Sequence, residues 1–410
     1  MSDFVDKPRV VWLDRQTPPH ILTLVLIAGL GALNMNIFVP SLPSMAAFFQ
    51  TDYALVQLAI SAYLGVTALL QLVIGPLSDR FGRRPVLLWT FVIFLLATVG
   101  CIFSTDFYLF LTFRLIQATV ASGMVLSRAV VRDMVDTNEA ASMIGYVTMG
   151  MAVVPMVGPM LGGFLDENFG WQASFMMTLA FGLVVFAISY VDLGETHHNR
   201  SSSFGAQFSA YPKLLTSRRF WGYSLTAAFA SGSFFAFLGG GPYVATNVLG
   251  LSPSQLGLHF GLIAVGYMMG NFISGRFARR MGINRMMLLG NVTSATGLLI
   301  SLGLFASGAT HPLALFAPII LVGFGNGMCL PSANAGIVSV RPELSGSASG
   351  LGGALMIGGG AALSILAGLF HGPETGVWPL LFVMMFSALC GIAATLYVAY
   401  VDRIAGPPGS

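Results

Sequence analysis

The chain has 410 residues, of which 55% are apolar and 9% charged, where an ordinary soluble domain carries about 25% charge. Formal net charge is +3 and mean hydropathy is +0.80. These values exclude a soluble globular enzyme, a disordered chain and a nucleic-acid-binding protein, and make a lipid bilayer the natural solvent.

Residues 1–19 are polar, and the first apolar run is too long for a signal-peptide core, so no cleavage is expected. A membrane-crossing helix needs roughly 20 mostly apolar residues. That length predicts twelve spans: 20–44, 54–77, 86–104, 107–131, 138–165, 170–191, 220–246, 253–275, 286–307, 311–338, 345–370 and 376–401. The period-2 alternation of a membrane barrel is absent. Cys101, Cys329 and Cys390 lie far apart in apolar runs and form neither metal-ligand spacing nor a disulfide framework.

Orientation follows from the 19 lysines and arginines. Lys7, Arg9 and Arg15 precede span one, and Arg80, Arg83 and Arg84 follow span two. Arg128 and Arg132 end span four, and Arg200, Lys213, Arg218 and Arg219 fill the central loop. Arg276, Arg279, Arg280 and Arg285 follow span eight, Arg341 follows span ten, and Arg403 follows span twelve. All these loops share one side, while the opposite loops carry Asp52, Asp106, Asp166, Glu167 and Glu374 and no cation. The positive-inside rule then puts both termini in the cytoplasm. Arg114, inside span four, is the exception.

The longest hydrophilic stretch divides the chain at its middle. It predicts a cytoplasmic segment 1–19, a six-helix half at 20–191, a linker at 192–219, a second half at 220–402 and a tail at 403–410. The linker holds His197, His198, Arg200 and Ser201–Ser203, which read as solvated chain and no metal site. An internal repeat supports the division. GPLSDRFGRRP, Gly75–Pro85, recurs as GRFARRMGINR, Gly275–Arg285, so that Gly75, Arg80 and Gly82 meet Gly275, Arg280 and Gly282 at an offset of 200. Two related halves around a cavity are a transporter architecture.

In this loop Gly75 permits close helix approach, Gly82 a tight turn, and Pro85 suits a first helical turn. Asp79 can pair with Arg80, Arg83 or Arg84 nearby, or with a helix N-terminus. The loop reads equally as a conformational latch and as a positive-inside anchor.

Taken together, these stretches resemble the major facilitator superfamily. The Gly75–Pro85 loop is similar to the family's signature between helices 2 and 3. FRLIQ in span four, with Arg114 and Gln117, resembles its Arg-x-x-Gln motif. GMAVVPMVGPMLGG, Gly150–Gly163, resembles the antiporter Gly-Pro motif, with Gly158, Pro159, Gly162 and Gly163 in place. GWQASF and FGNGMCLPSANA are similar to the Bcr/CflA branch of drug exporters. The resemblance implies an all-α membrane protein of twelve transmembrane helices in two pseudo-symmetric halves. It also implies efflux of small amphipathic, chloramphenicol- or bicyclomycin-like compounds by proton antiport, in a bacterial inner membrane, without cofactor or metal, as a monomer. Pro155 and Pro159 each remove a helix hydrogen bond and kink span five.

A charge inside a bilayer costs about 2.5–3.5 kcal/mol on insertion scales, so Arg114 should face a cavity or partner, or snorkel outward. At 1.5 Å per residue, Arg114 lies about 10 Å from one surface and Asn36 about 24 Å from the other, so the two can meet. The branch commonly carries an aspartate at Asn36; asparagine cannot titrate, so that coupling role does not transfer. Candidates for proton coupling are then Arg114, His259, Asp79 and Asp133, with uncoupled or solute-exchanging transport of a polar or anionic metabolite as the alternative. Further cavity candidates, on helices that line the superfamily's cavity, are Asn34, Asn36, Gln117, Phe234, Phe237, Tyr243, Tyr267, Asn326 and Asn334. An enzyme would group nucleophile and base near water, and no such constellation is found.

Overall fold

The computed structural model describes residues 10–135, 137–196, 210–341, 344–370 and 375–405. Lys7, Arg9, the linker residues His197, His198, Arg200 and Ser201–Ser203, and Glu374 lie outside them. The described chain is helical. In order it runs α1 (Ile21–Asn36), α2 (Leu42–Phe49), α3 (Tyr53–Val56), α4 (Leu58–Phe81), α5 (Arg83–Phe103), α6 (Phe107–Ile116), α7 (Ala121–Met134), α8 (Thr137–Phe169) and α9 (Gln172–Asp192). A second set follows: α10 (Ala210–Leu215), α11 (Arg218–Tyr243), α12 (Pro253–Met281), α13 (Ile283–Ala306), α14 (Leu313–Ser339), α15 (Ser345–Leu369) and α16 (Trp378–Ala405).

Ten helical segments among the described residues are long and apolar enough to cross a membrane. Helices α8 and α11, with 33 and 26 residues, occupy the places of predicted spans five and seven. Three spans are interrupted. Span one breaks after Asn36 into a 3-10 turn and α2, because Pro40 and Pro43 bring no N–H to the helix ladder and sit in the first turns of new helices. Span four tightens to a 3-10 turn at Gln117–Val120. Span seven ends in a π turn at Val244–Val248.

The predicted 200-residue repeat has a backbone counterpart. Gly82 and Gly282 each separate two helices with φ of +100° and +82° and the same ψ of 151°. Each donates its N–H back four residues, to Ser78 and Ala278, at 2.9 Å. A Cβ would strain either position.

One end of the bundle gathers the N-terminal segment, the ends of the two sets and the last helix. The Asp192 carboxylate accepts from the N–H groups of Leu13 (2.6 Å) and His20 (2.9 Å), and Arg219 pairs with Asp402 at 3.0 Å. This is the linker end; the other is the distal end. The apolar core is organised differently at the two. Toward the distal end a single cluster joins both sets, with Phe38, Val56, Leu64 and Ala68 packed among Phe235, Leu238, Ile357 and Leu363. Toward the linker end the core splits into one cluster within the first set, around Leu24, Phe91 and Leu126, and another within the second, around Phe220, Met287 and Ile337.

Candidate functional site

Arg114 sits two turns into α6, fully buried. Its Nε donates to the Ala59 carbonyl (3.2 Å). Nη1 donates to Asn34 Oδ1 (3.0 Å) and Gln117 Oε1 (2.6 Å), and Nη2 to the Asn34 carbonyl (3.0 Å). Four of the five guanidinium N–H groups are thereby used. The Phe38 and Tyr63 rings lie 4.2 and 4.1 Å from the guanidinium carbon, close enough for cation–π attraction. The acceptors extend the network: Asn34 Nδ2 donates to Tyr63 Oη (3.1 Å), and Gln117 Nε2 to Thr98 Oγ1 (2.7 Å). Buried charge is tolerated when every donor finds an acceptor, and here neutral oxygens and ring faces supply them. An aromatic group holds Phe38 and Phe175 in place, with Phe110 and Trp171 packed edge-on against Phe175 at 5.5 and 5.7 Å.

Asn36 does not share this network. Its Nδ2 donates to the Ala32 carbonyl at 2.7 Å, and its buried Oδ1 has no partner among the described residues. Two residues along a helix rotate a side chain by about 200°, so Asn34 and Asn36 face different neighbours. A Cβ on Gly158 of α8 would lie 3.7 Å from Asn36 Cβ, so Asn36 marks the α1–α8 crossing. Gly162 continues that crossing, pressed against the Ile37 backbone, while Pro159 lies against Gly257 of α12. Pro155 lies in the same helix; its side chain is outside the described residues.

The signature loop forms a second polar site at the linker end. Arg83 pairs with Asp79 at 2.5 Å and through Nε with Asp133 at 3.0 Å, and it bonds the Ser78 hydroxyl. Its backbone N–H donates to Glu195 (2.9 Å), and Thr196 donates to Asp133 (3.2 Å). Arg84 donates to the carbonyls of Leu193 (2.8 Å) and Tyr190 (3.0 Å), and Arg80 stacks on Phe81. Four elements, α4, α5, α7 and the segment after α9, are tied by one arginine. Gly75 opens the motif as the acceptor of the Ser78 hydroxyl at 2.8 Å.

A third group bridges the two sets at the distal end. Gln57 is buried against Gly239 and Gly368 and donates to the Ser364 carbonyl at 2.5 Å. Tyr53 donates to the Gly239 carbonyl at 2.7 Å and lies 5.1 Å, ring to ring, from Tyr243. Helices α8 and α12 touch backbone to backbone, Gly163 on Pro253 and Gly257 on Pro159. Glu167, beyond predicted span five, accepts from the Ser252 hydroxyl (3.0 Å) and the Ser254 N–H (3.2 Å) at the start of α12. Hydrogen bonds from Ser254 and Ser252 hold its carboxyl below the ordinary 4.5. Its neighbour Asp166 is raised instead, by burial, against a bond from Ser44 at 2.6 Å. A cavity of about 600 Å³ opens above this bridge, lined by Gln50, Asp52, Tyr53, Tyr243 and Asn247.

The remaining candidates are dispersed. Phe237 is buried among Phe260 and Phe316 of its own set, and Phe234 borders the merged distal core. Tyr267 is half-buried on α12, its carbonyl accepting from Asn271 at 2.8 Å. The His259 ring lies 4.4 Å from that of Phe316, with Nδ1 2.7 Å from the Gln255 carbonyl. Asn326 is buried with Oδ1 unpartnered among the described residues, and Asn334 is exposed on α14. The sequence reading missed Tyr63 and Gln57. Gln57 carried a usable signal, an amide a few residues inside an apolar span.

The family model of the Major Facilitator Superfamily matches residues 24–364 and 233–409. An uncharacterized MFS-type transporter, YdgK of Bacillus subtilis (strain 168), is 31% identical over 90% of this chain and 93% of its own. A chloramphenicol resistance protein of Pseudomonas aeruginosa is 29% identical over 93% and 90%. Multidrug resistance protein D of Escherichia coli (strain K12) is 28% identical over 92% and 95%. Among solved structures, a bacterial homologue of the human lysosomal transporter Spinster, inward-facing and occupied, superposes with a TM-score of 0.69 at 16% identity, covering 93% of this chain and 96% of that one.

Proposed function

Since this chain belongs to the Major Facilitator Superfamily, and within it to the Bcr/CflA drug-resistance branch, we propose that it exports small amphipathic compounds by alternating access. The observation that carries this reading is the asymmetry of the core: one cluster shared by both sets at the distal end, two separate clusters at the linker end. Such a molecule is closed on one side and divisible on the other, the form needed when one half rocks against its partner. The lysines and arginines support a cytoplasmic linker end in the bacterial inner membrane, with both termini inside and the distal end outward. The chain then works as a monomer of twelve spans, with small-molecule substrate and protons as its partners.

Proton exchange is the coupling the branch suggests, and Asn36 favours a second reading, uncoupled or solute-exchanging transport. Of the coupling candidates, Arg114 is enclosed by neutral acceptors and His259 is packed on Phe316, which leaves the Asp79–Arg83–Asp133 cluster as the exchangeable one. Liposomes reconstituted with the purified protein test both readings. Addition of a phenicol is expected to drive proton movement in wild type, with a further rise in Asn36→Asp. Proton movement only in Asn36→Asp, with phenicol uptake intact in wild type, establishes the uncoupled reading. Absence of phenicol movement in both overturns export of such compounds.

A further inference from the structure

Asp166, near the distal end of α8, is a buried carboxylate that the transport reading leaves without a role. It stands one turn beyond Gly162 on the same helix face and is 7% exposed. Its Oδ2 accepts from the Ser44 hydroxyl at 2.6 Å, while its Oδ1 is sealed from solvent without a hydrogen-bond partner among the described residues. Ser41, fully buried in the 3-10 turn that interrupts span one, also has an unpartnered hydroxyl, close enough to act on the same carboxyl. That turn packs against α8 and also against α11 and α12, so Asp166 borders the contact between the two sets. Among the described residues no ion pair offsets its charge, and the loops of this end carry no lysine or arginine in the sequence. Glu167, the next residue, adds a second negative charge. Helix α2 and the first turn of α9 bring no charged group, and Ser252 and Ser254 at the start of α12 are engaged by Glu167. The other titratable groups of this end are placed elsewhere: Asp52 on the cavity, Asp106 on the first turn of α6, His259 on Phe316 and His311 at the start of α14. His371 and Glu374 lie outside the described residues.

An ionised carboxylate is costly in such a place, because burial strips its hydration and one oxygen receives no bond in return. Burial raises it above the ordinary 3.8, against the Ser44 and Ser41 hydroxyls and with help from Glu167. A proton on Oδ1 removes the charge and turns the sealed oxygen into a donor, with Ser41 Oγ as its acceptor. We propose that Asp166 is a proton-binding site at the distal end, holding its proton between α8 and the 3-10 turn while the two sets are closed there. Parting of the sets hydrates the carboxyl and releases the proton to the distal side, and closure takes one up. Its use in coupling, as an acid at the end opposite the Asp79–Arg83–Asp133 cluster, rests on the export reading above; the binding itself does not.

The test is an infrared pH titration of the full-length protein in detergent, read at the carbonyl stretch of protonated carboxyl groups as the difference between wild type and Asp166→Asn. Asparagine keeps the shape and the bond from Ser44 but cannot titrate, so the fold is retained and only the proton is lost. Wild type is expected to show a protonated carboxyl that Asp166→Asn lacks, with a midpoint above the ordinary 3.8. Ser44→Ala removes a bond to the ionised form and raises that midpoint, and Glu167→Gln removes the neighbouring charge and lowers it. Identical spectra for wild type and Asp166→Asn, or a midpoint at or below 3.8, overturn the proposal. In the liposome assay Asp166→Asn should lose phenicol-driven proton movement and keep phenicol uptake, and proton movement equal to wild type overturns the use of Asp166 in coupling. If wild type itself moves no phenicol, the export reading fails and the spectra alone decide the site.

Discussion

Asn34 and Asn36 are the same side chain two residues apart, yet only one supports the buried arginine. Replacing Asn34 with Ala removes an acceptor from Arg114 and a donor from Tyr63, and leaves part of a buried charge unpaired. We expect a loss of about 1–3 kcal/mol, read as a lower thermal midpoint in detergent. Asn36→Ala removes only a bond to its own helix and an amide oxygen already unpartnered, so its midpoint should move by less than half as much. Equal losses would place the Arg114 partner wrongly. The sequence identified Arg114 as the odd cation and found the right helix for its partner, because depth along an axis follows from residue count alone. It chose Asn36 over Asn34 because azimuth depends on how the helix is rotated in the bundle, which packing against α8 decides.

At the level of elements, the twin glycines at 82 and 282 separate backbone strain from local crowding. Both hold positive φ, so Ala at either costs about 1–2 kcal/mol. Only Gly82 faces a side chain: a Cβ there would collide with the Glu195 carboxylate that accepts from Arg83, while the space around Gly282 is empty. Gly82→Ala should therefore lower the thermal midpoint more than Gly282→Ala, and it alone should loosen the segment after α9 in hydrogen exchange. Both glycines were legible in the sequence from the repeat. The asymmetry was not, since Glu195 is more than a hundred residues away and no local pattern connects it to the turn. The breaks in span one follow from Pro40 and Pro43, whereas the 3-10 turn at Gln117–Val120 carries no proline and left no trace in the hydropathy pattern.

For the molecule as a whole, the distal bridge sets how tightly the two halves close. Gly257→Ala would push α12 away from the Pro159 carbonyl, an overpacking cost of about 1–3 kcal/mol charged to the closed form. Distances between spin labels at Gln50 and Asn247 should then lengthen and broaden; an unchanged distribution would show that the α8–α12 contact does not govern closure. Acid acts on the same bridge through Glu167. Its carboxyl lies below the ordinary 4.5 in the closed form, so its contribution is complete above that value and is lost as pH falls through the lowered one. The label distance should lengthen in that window, and Glu167→Gln should remove the dependence. The 200-residue repeat could be read from the sequence, and its paired glycines share a backbone geometry. Which end is closed could not, because closure is made by Gln57, Tyr53 and backbone contacts between residues far apart in sequence.

The cavity above Tyr53 and Tyr243 has a pharmacological consequence. It is open on the distal face while the bridge beneath it is shut, and Asp52 stands at its rim. A compound wedged into this hollow would hold the Tyr53–Gly239 contact together and keep this end shut. A ligand seated there would act on the closure of the two sets and not on whatever passes between them.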